Sequence, residues 1–514
     1  MLVAHNSSAG AIPRPSAIRR TSLAALGQVL GATLVGPDVV ATGITASSRL
    51  VRPGDIFAAL SGRTGHGAQF APDAVAAGSV ALLTDAAGAA RLPPPHVSAL
   101  VVPDVRAVLG RAAAAVYGAP SNRLSVLGVT GTSGKTTTTF LIRAGLAAAG
   151  VSTALIGTVA TLIGNDQIST GFTTPEAPEL QALLAVMAER DVTSVAMEVS
   201  SHALALGRAD GVDFAVGAFT NLSQDHLDFH ADLDDYFEAK AKLFDGRSRI
   251  AAIVTDDEWG QRLAKRVGPP AITVNTTGDS TATWRATDIV VRPDASTGFR
   301  AVGPGRDMAA GTAILGSYNV ANALLALAVL DAVGVDPRLA VAAVAQAGVP
   351  GRMERVDAGQ PFLVVVDYSH KPAAVEGALR ALRPFTSRRL VIVLGCGGDR
   401  DQAKRPIMGE VAARVADVLI VTDDNPRSED PAAIRRAMLE GAGQVPAGER
   451  AEVVEIGDRG AAIDEAIRMA RPGDTVLIAG KGHEPGQEVA GTVYPFDDRD
   501  VARRVLTGTA DDLA

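Results

Sequence analysis

Residues 124–150 read "LSVLGVTGTSGKTTTTFLIRAGLAAAG". An apolar run (Leu124–Val129) ends in glycines and small hydroxyl residues, and an Ala/Leu-rich run with helical spacing follows. A strand, a glycine-rich turn and a helix in that order place backbone N–H groups and a helix N-terminus around one point, an arrangement suited to phosphate oxygens. Gly131, Thr132, Ser133 and Gly134 would form the cradle. Lys135 would neutralise phosphate charge, the Thr136 hydroxyl would reach Mg²⁺, and Thr137 would continue the helix start. The strict phosphate-loop pattern has glycine at position 129, where this chain has Val129, flanked by Gly128 and Gly131, so the loop is a variant. A glycine-rich turn without a ligand is the competing reading.

Outward from this stretch the same alternation recurs. "SVAMEVS", "FAVGAFTNLS", "FLVVVDYS", "RLVIVLGCGG", "ADVLIVTDD" and "DTVLIAGKG" are Val/Ile/Leu runs without polar alternation. Such runs predict strands buried on both faces, as in parallel sheets covered by helices, and the fold class is α/β. At ~150 residues per domain, 514 residues suggest three domains. The Gly/Pro-bearing breaks "VYGAPSNRL" (116–124) and "AQAGVPGRMERV" (345–356) set their limits at 1–120, 121–348 and 349–514, with about 1–20 as a loose tail.

The formal net charge of −8 argues against general nucleic-acid binding and leaves room only for a focal basic site. The single cysteine, Cys396, excludes an internal disulfide and fits a reducing cytoplasm. As a nucleophile Cys396 would need a base, and none is identifiable, so a small buried strand-end residue is the favoured reading. No run of ~18 apolar residues and no signal-peptide core is present, which predicts no membrane insertion.

Acids and histidines gather in "MEVSSHALALGR" (197–208) and "TNLSQDHLDFHADLDDYFEAKAKLF" (220–244). Glu198, at a strand end, suits a hard cation. Asp225, His226, Asp228 and His230 also admit a transition-metal reading, with His226 and His230 sharing a helix face, or a ligand-free helix cap. Lys240, in an acidic helical segment, reads on spacing alone as a solvated ion-pair partner, with Lys242 its neighbour.

Eleven segments, "TGTSGKTT", "FTTPEAPEL", "MEVSSHAL", "TNLSQDHLDFH", "YFEAKAKLF", "LGSYNVANALLAL", "GRMERV", "DYSHKP", "GCGGDRDQAKRP", "DDNPR" and "AGKGHE", occur in the order found in the Mur ligases, and the chain resembles that family from about residue 40 onward. The resemblance implies an N-terminal uridine-nucleotide domain, a central P-loop-type ATPase domain and a C-terminal Rossmann-like domain. It also implies an ATP-dependent, monomeric, cytoplasmic amide-forming ligase. More narrowly, the motifs resemble those of the branch joining meso-2,6-diaminopimelate to UDP-N-acetylmuramoyl-L-alanyl-D-glutamate through an acyl phosphate during peptidoglycan synthesis. A relative adding L-lysine, a folylpolyglutamate synthetase, or a P-loop switch are the alternatives.

By the same resemblance Thr136, Glu198 and His226 serve Mg²⁺, and Lys240 becomes a CO₂-derived carbamate that joins them. Lys135, Glu198, His226 and Lys240 form the catalytic set. Asn319, Arg352, Asp367 and His370 meet the nucleotide. Thr173, Thr174, Ser200 and Arg208 hold the muramoyl dipeptide, while Ser48 and His66 match the uridine site in part, because Ser47 stands where the family has aspartate. Asp424, Asn425, Pro426 and Arg427, with Arg400, Gly480 and Glu484, would recognise diaminopimelate. Arg427 offers a bidentate partner for the distal carboxylate, Asn425 would donate to or accept from the same head group, and Glu484 would take an ammonium.

Overall fold

The structure, a computed structural model, describes residues 12–17, 19–62, 65–92, 97–168, 170–227, 229–292 and 296–508. Residues 1–11 of the expected tail, Arg63 and Thr64 of the "SGRTGHGAQF" segment, and Asp228 lie outside that set. The chain forms two compact units. The first takes the chain through Thr287 with Ala301–Met308 and Ala321–Val344; the second takes Asp288–Arg300, Ala309–Val320 and the residues from Ala345 on.

The first unit opens with a five-stranded sheet in the order Thr33–Val35, Ser98–Val101, Ala81–Thr84, Asp55–Ala58, Gly43–Thr45. Only the Thr33–Val35 pairing is antiparallel. Helix Val105–Tyr117 lies under this sheet and shares a core with helix Ala177–Glu189. Ala112 and Ala113 on one helix and Ala177, Ala182 and Ala185 on the other are buried there. Small side chains let two helices approach closely, and this joins the first sheet to the next one.

That second sheet carries the phosphate loop. Strand Ser125–Thr130 pairs in parallel with Ser194–Glu198 on one side and Phe214–Phe219 on the other, and Thr153–Ile156 lies beyond Ser194–Glu198. Glu198 is level with Val129, Phe219 with Thr130 and Met197 with Ile156. The turns after these strands therefore leave from one edge, where ligands of α/β sheets bind. Val129 is fully buried inside its strand. The strand runs on through Thr130, past the position where the strict pattern has glycine, and Gly131 makes the turn.

The second unit holds a six-stranded sheet in the order Glu354–Arg355, Leu363–Asp367, Thr475–Ala479, Leu390–Leu394, Val418–Val421, Glu452–Glu455. All its pairings except that of Glu354–Arg355 are parallel. The four central strands are the apolar runs expected from sequence. Asp367, Ala479, Leu394 and Val421 fall on one line across them. The loops that begin at Tyr368, Gly480, Gly395 and Thr422 therefore share an edge. A hairpin, Gly486–Val489 with Thr492–Pro495, follows the Gly480 loop.

One expectation is corrected here. The segment from residue 12 is not loose where it is described. The Arg14 guanidinium donates to Asp55 Oδ1 at 2.5 Å, and the Ser16 and Ala17 N–H groups donate to Glu189 at 2.8 and 2.6 Å. Buried Asp55 lacks any other cationic side-chain partner among the described ion pairs, so the chain is held by the need to compensate that charge.

Candidate active site

Gly131 (φ +148°) and Gly134 (φ +85°) set the phosphate loop, and helix Lys135–Ala148 starts directly behind it. A Cβ at Gly134 would run into the Asn322 side chain, so both the turn and the close approach demand glycine. The loop is pinned from the neighbouring strand end. Asn221 O accepts from Thr132 N–H at 2.9 Å, Asn221 Oδ1 from Ser133 N–H at 3.0 Å, and the Thr220 hydroxyl donates to Ser133 O at 2.6 Å. Lys135 Nζ lies over the loop, donating to Gly131 O and Thr132 O at 2.8 Å each. Four consecutive threonines, Thr136 to Thr139, are weak helix formers, yet all are buried, and Thr139 returns its hydroxyl to Thr136 O at 2.9 Å.

Glu198 is the hub. It is 1% exposed and accepts from the Thr136 hydroxyl (3.0 Å), the Thr158 N–H (2.8 Å) and the Thr158 hydroxyl (3.2 Å). The Thr158 hydroxyl in turn lies 2.9 Å from that of Thr173. Thr174 donates to Glu198 O at 2.9 Å and accepts from Ser200 N–H at 3.3 Å. Ser200 caps helix Ser201–Ala205, and Arg208 pairs with Glu176 at 2.8 Å and donates to Thr174 O at 3.4 Å. The phosphate loop is thus joined to Thr173 through the Glu198 carboxylate and Thr158, a residue that sequence reading did not single out, and Thr174, Ser200 and Arg208 connect through the Glu198 backbone carbonyl.

Lys240 reaches the same loop from helix Leu233–Ala241, which turns Tyr236, Phe237 and Ala239–Ala241 inward. Its Nζ donates to Gly131 O at 2.7 Å and lies 4.4 Å from the centre of the Tyr236 ring. Burial, reinforced by the Lys135 charge, pulls its pKa well below the ordinary lysine value, with Asp225 opposing more weakly. Two ammonium groups on one carbonyl repel, which favours loss of the Lys240 proton in the same direction as burial.

His226 and His230 do not share a helix. The segment before Leu233 is a series of turns, because the Asp232 side chain caps the helix and accepts from Asp235 N–H at 2.8 Å. His226 sits at φ +53° with Nε2 3.5 Å from Asp225 Oδ2, while His230 Nδ1 is 3.1 Å from Asp235 Oδ2. Among the described residues no group of three or more His, Cys, Asp or Glu could hold a metal ion, and Asp228 of the transition-metal reading lies outside them. The oxygen donors at Thr136 and Glu198 suit a hard cation instead.

In the second unit, Asp367 accepts from the Met353 N–H at 2.8 Å and from the Ser369 N–H at 2.9 Å. The Arg352 guanidinium lies 4.5 Å from the Tyr368 ring centre, and the Tyr368 ring meets His370 edge-on and His483 at a tilt. His370 Nδ1 lies 2.7 Å from Tyr368 O, and burial pulls its pKa down to about 4, so it is neutral near pH 7. Asn319, 1% exposed, donates to Leu315 O at 2.7 Å.

The 424–427 loop is gathered by partners that the sequence leaves far apart. Asn425 Nδ2 donates to Glu484 Oε2 at 2.8 Å, and Asn425 Oδ1 accepts from Lys481 Nζ and Glu488 N–H at 2.9 Å each. Arg427, at φ +53°, donates through Nη1 to Gly398 O (2.7 Å) and pairs through Nε with Glu488 (3.3 Å). The hairpin continues the brace: Arg427 N–H donates to Glu488 O, and Ala490 N–H to Arg427 O. Gly480 (φ +115°) passes close to Asp424, where a Cβ would collide with its carboxylate. Pro426 packs its carbonyl against Gly398, and exposed Arg400 donates to Asp399 O at 3.3 Å. Lys481, Glu488 and the hairpin went unread. A lysine between glycines looks like a solvent residue, and only "AGKGHE" as a block marks it.

In the first sheet, Ser48 opens the short helical turn Ser48–Leu50. His66 is buried, and both ring nitrogens are engaged by nearby turns: Nδ1 accepts from Ala68 N–H and Nε2 meets the helix-capping Asp85, at 3.0 Å each. Its geometry is that of a turn cap. Cys396 is 3% exposed with its Sγ 3.6 Å from Met408 Sδ, matching the small buried strand-end reading.

Comparison with known families agrees with this architecture. The model described as Mur ligase family, catalytic domain, matches residues 40–117; Mur ligase middle domain matches 129–330; and Mur ligase, glutamate ligase domain, matches 351–482. The chain belongs to the Mur ligase family, with its three-domain α/β fold. Within it, a protein of Streptomyces coelicolor named UDP-N-acetylmuramoyl-L-alanyl-D-glutamate–2,6-diaminopimelate ligase is 53% identical over 500 residues, covering 97% of this chain and 98% of the relative. A Corynebacterium glutamicum protein of the same name is 50% identical over 489 residues, covering 93% and 94%. A solved structure of a ligase of that name matches with a TM-score of 0.69 at 32% identity, covering 95% of this chain and 99% of the other.

Proposed function

We propose that this protein uses ATP to join meso-2,6-diaminopimelate to UDP-N-acetylmuramoyl-L-alanyl-D-glutamate, as a monomer in the cytoplasm. The observation that carries the reading is the chain of contacts from Thr136 through Glu198 and Thr158 to Thr173. An amide-forming ligase must bring a phosphate and a substrate carboxylate together, whereas a nucleotide switch has no need of the second group. The names of the close relatives supply the substrates.

Amide formation from a carboxylate is uphill in water, so the carboxylate is first phosphorylated by the γ-phosphoryl group of ATP. Lys135 and the loop N–H groups offset the repulsion between the two anions. Arg208 and the Thr173 hydroxyl orient the acceptor, and Arg352, Asp367 and His370 meet the nucleotide. The diaminopimelate amine then attacks the acyl carbon and phosphate leaves. Thr136, Glu198, His226 and a carbamate on Lys240 would hold Mg²⁺, which supplies charge neutralisation at the phosphates. To form that carbamate the neutral Lys240 amine attacks CO₂, an N–C bond forms, and one proton is released to solvent.

Coupled ADP release tests the proposal. ADP should appear only with both the UDP-linked dipeptide and diaminopimelate present, with a product of the summed mass less water. Hydrolysis at the same rate without either substrate would reject it.

A further inference from the structure

Lys481 follows the strand Thr475–Ala479 by two residues and is 0% exposed, whereas the Glu484 side chain is 33% exposed. Lys481 Nζ lies 2.9 Å from Asn425 Oδ1 and 3.4 Å from Glu484 Oε2, and Asn425 Nδ2 lies 2.8 Å from that same Oε2. The three side chains close a ring, with Glu488 N–H as a second donor to the Asn425 oxygen.

The ring fixes which way the Asn425 amide points. As it stands, its oxygen receives an ammonium and a backbone N–H, and its nitrogen faces a carboxylate. Turned over, the NH₂ group would meet two donors, and the oxygen would meet Glu484. Both ends would then be repulsive inside a buried pocket. Asn425 can therefore offer a ligand only its remaining N–H. It is a donor for a carboxylate and never an acceptor for an ammonium, which narrows the two-way role expected from sequence.

We infer that Lys481 is a positioning residue for amino-acid selection: it never touches the substrate, but locks Asn425 as a carboxylate donor and holds Glu484 toward the ammonium of the distal zwitterion. This rests on the proposed function and names the part of the site that sets its selectivity. It keeps the division expected from the family resemblance, with the carboxylate at Asn425 and Arg427 and the ammonium at Glu484, and adds the residue that holds it in place.

The test is steady-state kinetics of the full-length enzyme carrying Lys481→Met, with each substrate varied in turn. The KM for diaminopimelate should rise on the order of 10-fold or more, the scale of a lost charge-assisted hydrogen bond, with kcat within about threefold. The KM values for ATP and for the UDP-linked dipeptide should not move, and the preference over L-lysine should shrink. Lys481→Gln, which keeps a donor toward Asn425 without the charge, should recover part of the loss, and it carries the test if the methionine variant does not fold. A diaminopimelate KM within twofold of wild type, or an equal loss for all three substrates, would overturn the inference. Failure of the wild type to use diaminopimelate would reject the proposed function instead, so the two failures are distinct.

Discussion

Lys240 and Lys481 are both sealed from solvent, at 1% and 0% exposed, but they are surrounded by opposite chemistry. Lys240 faces a carbonyl, an aromatic ring and the like charge of Lys135, and no described ion pair supplies it with a carboxylate. Lys481 has an amide oxygen and the Glu484 carboxylate. Burying an ammonium is costly unless it is compensated, and the two sites meet that cost differently. At Lys240 burial and the Lys135 charge shift the balance toward the neutral amine, the form that the proposed carbamate requires. Lys481 keeps a counter-ion and becomes part of a fixed scaffold. Burial makes a lysine unusual, and its neighbours decide what kind of unusual.

The strongest way to break this contrast is Lys240→Met. Ligation should fall by ~10²-fold or more, the loss expected when the proposed carbamate ligand for Mg²⁺ cannot form. Intact mass spectrometry under ¹³C-labelled CO₂, with trapping, should place one added CO₂ on Lys240 and none on Lys481. A fully active methionine variant, or label at Lys481, would undo the comparison.

Arg427→Ala probes the second site with a smaller effect. Diaminopimelate kcat/KM should drop ~10- to 100-fold, the scale of one bidentate pair, with the KM for ATP unchanged. Arg427 already spends Nε on Glu488 and Nη1 on Gly398 O, so its guanidinium is oriented before any ligand arrives. Unchanged diaminopimelate kinetics would remove the loop from the selectivity argument.

The phosphate loop was legible because its parts are contiguous: strand, glycines, lysine and hydroxyls lie within one stretch, and each has a local reason to be there. The strands of the second unit were legible for the same reason. The proposed selectivity site was legible only as separate motifs. Lys481 and Asn425 lie 56 residues apart, and they meet because Ala479, Leu394 and Val421 fall on one line of the sheet. No local pattern carries that register. His226, Asp399 and Arg427 adopt left-handed backbone conformations that only tertiary packing can hold, at a cost of order 1 kcal/mol each. The expected helix through His226 failed on that ground, since apolar and polar spacing alone does not exclude a run of turns. Lys240, on spacing alone a solvated residue, was drawn inside by the aromatic face of its own helix.

Cys396 offers the gentlest test, and it isolates burial from partners. Burial pushes its thiol up to about 12, while Lys404 and Arg405 pull only weakly the other way. The physics is the same as for Lys240: burial shifts the balance toward the uncharged form. The chemical result is reversed, because a neutral amine is the reactive form of lysine, whereas a neutral thiol is the unreactive form of cysteine. At pH 8 a thiol of that pKa is ionised in only about one molecule in 10⁴. Iodoacetamide should therefore leave native Cys396 unlabelled over hours and modify it promptly in urea. Cys396→Ala should cost about 1 kcal/mol in urea unfolding, because no sulfur then packs against Met408 Sδ, and should change ligation by less than twofold. Rapid labelling of the folded enzyme would show that burial here does not control ionisation, and would weaken the same argument where it matters most, at Lys240.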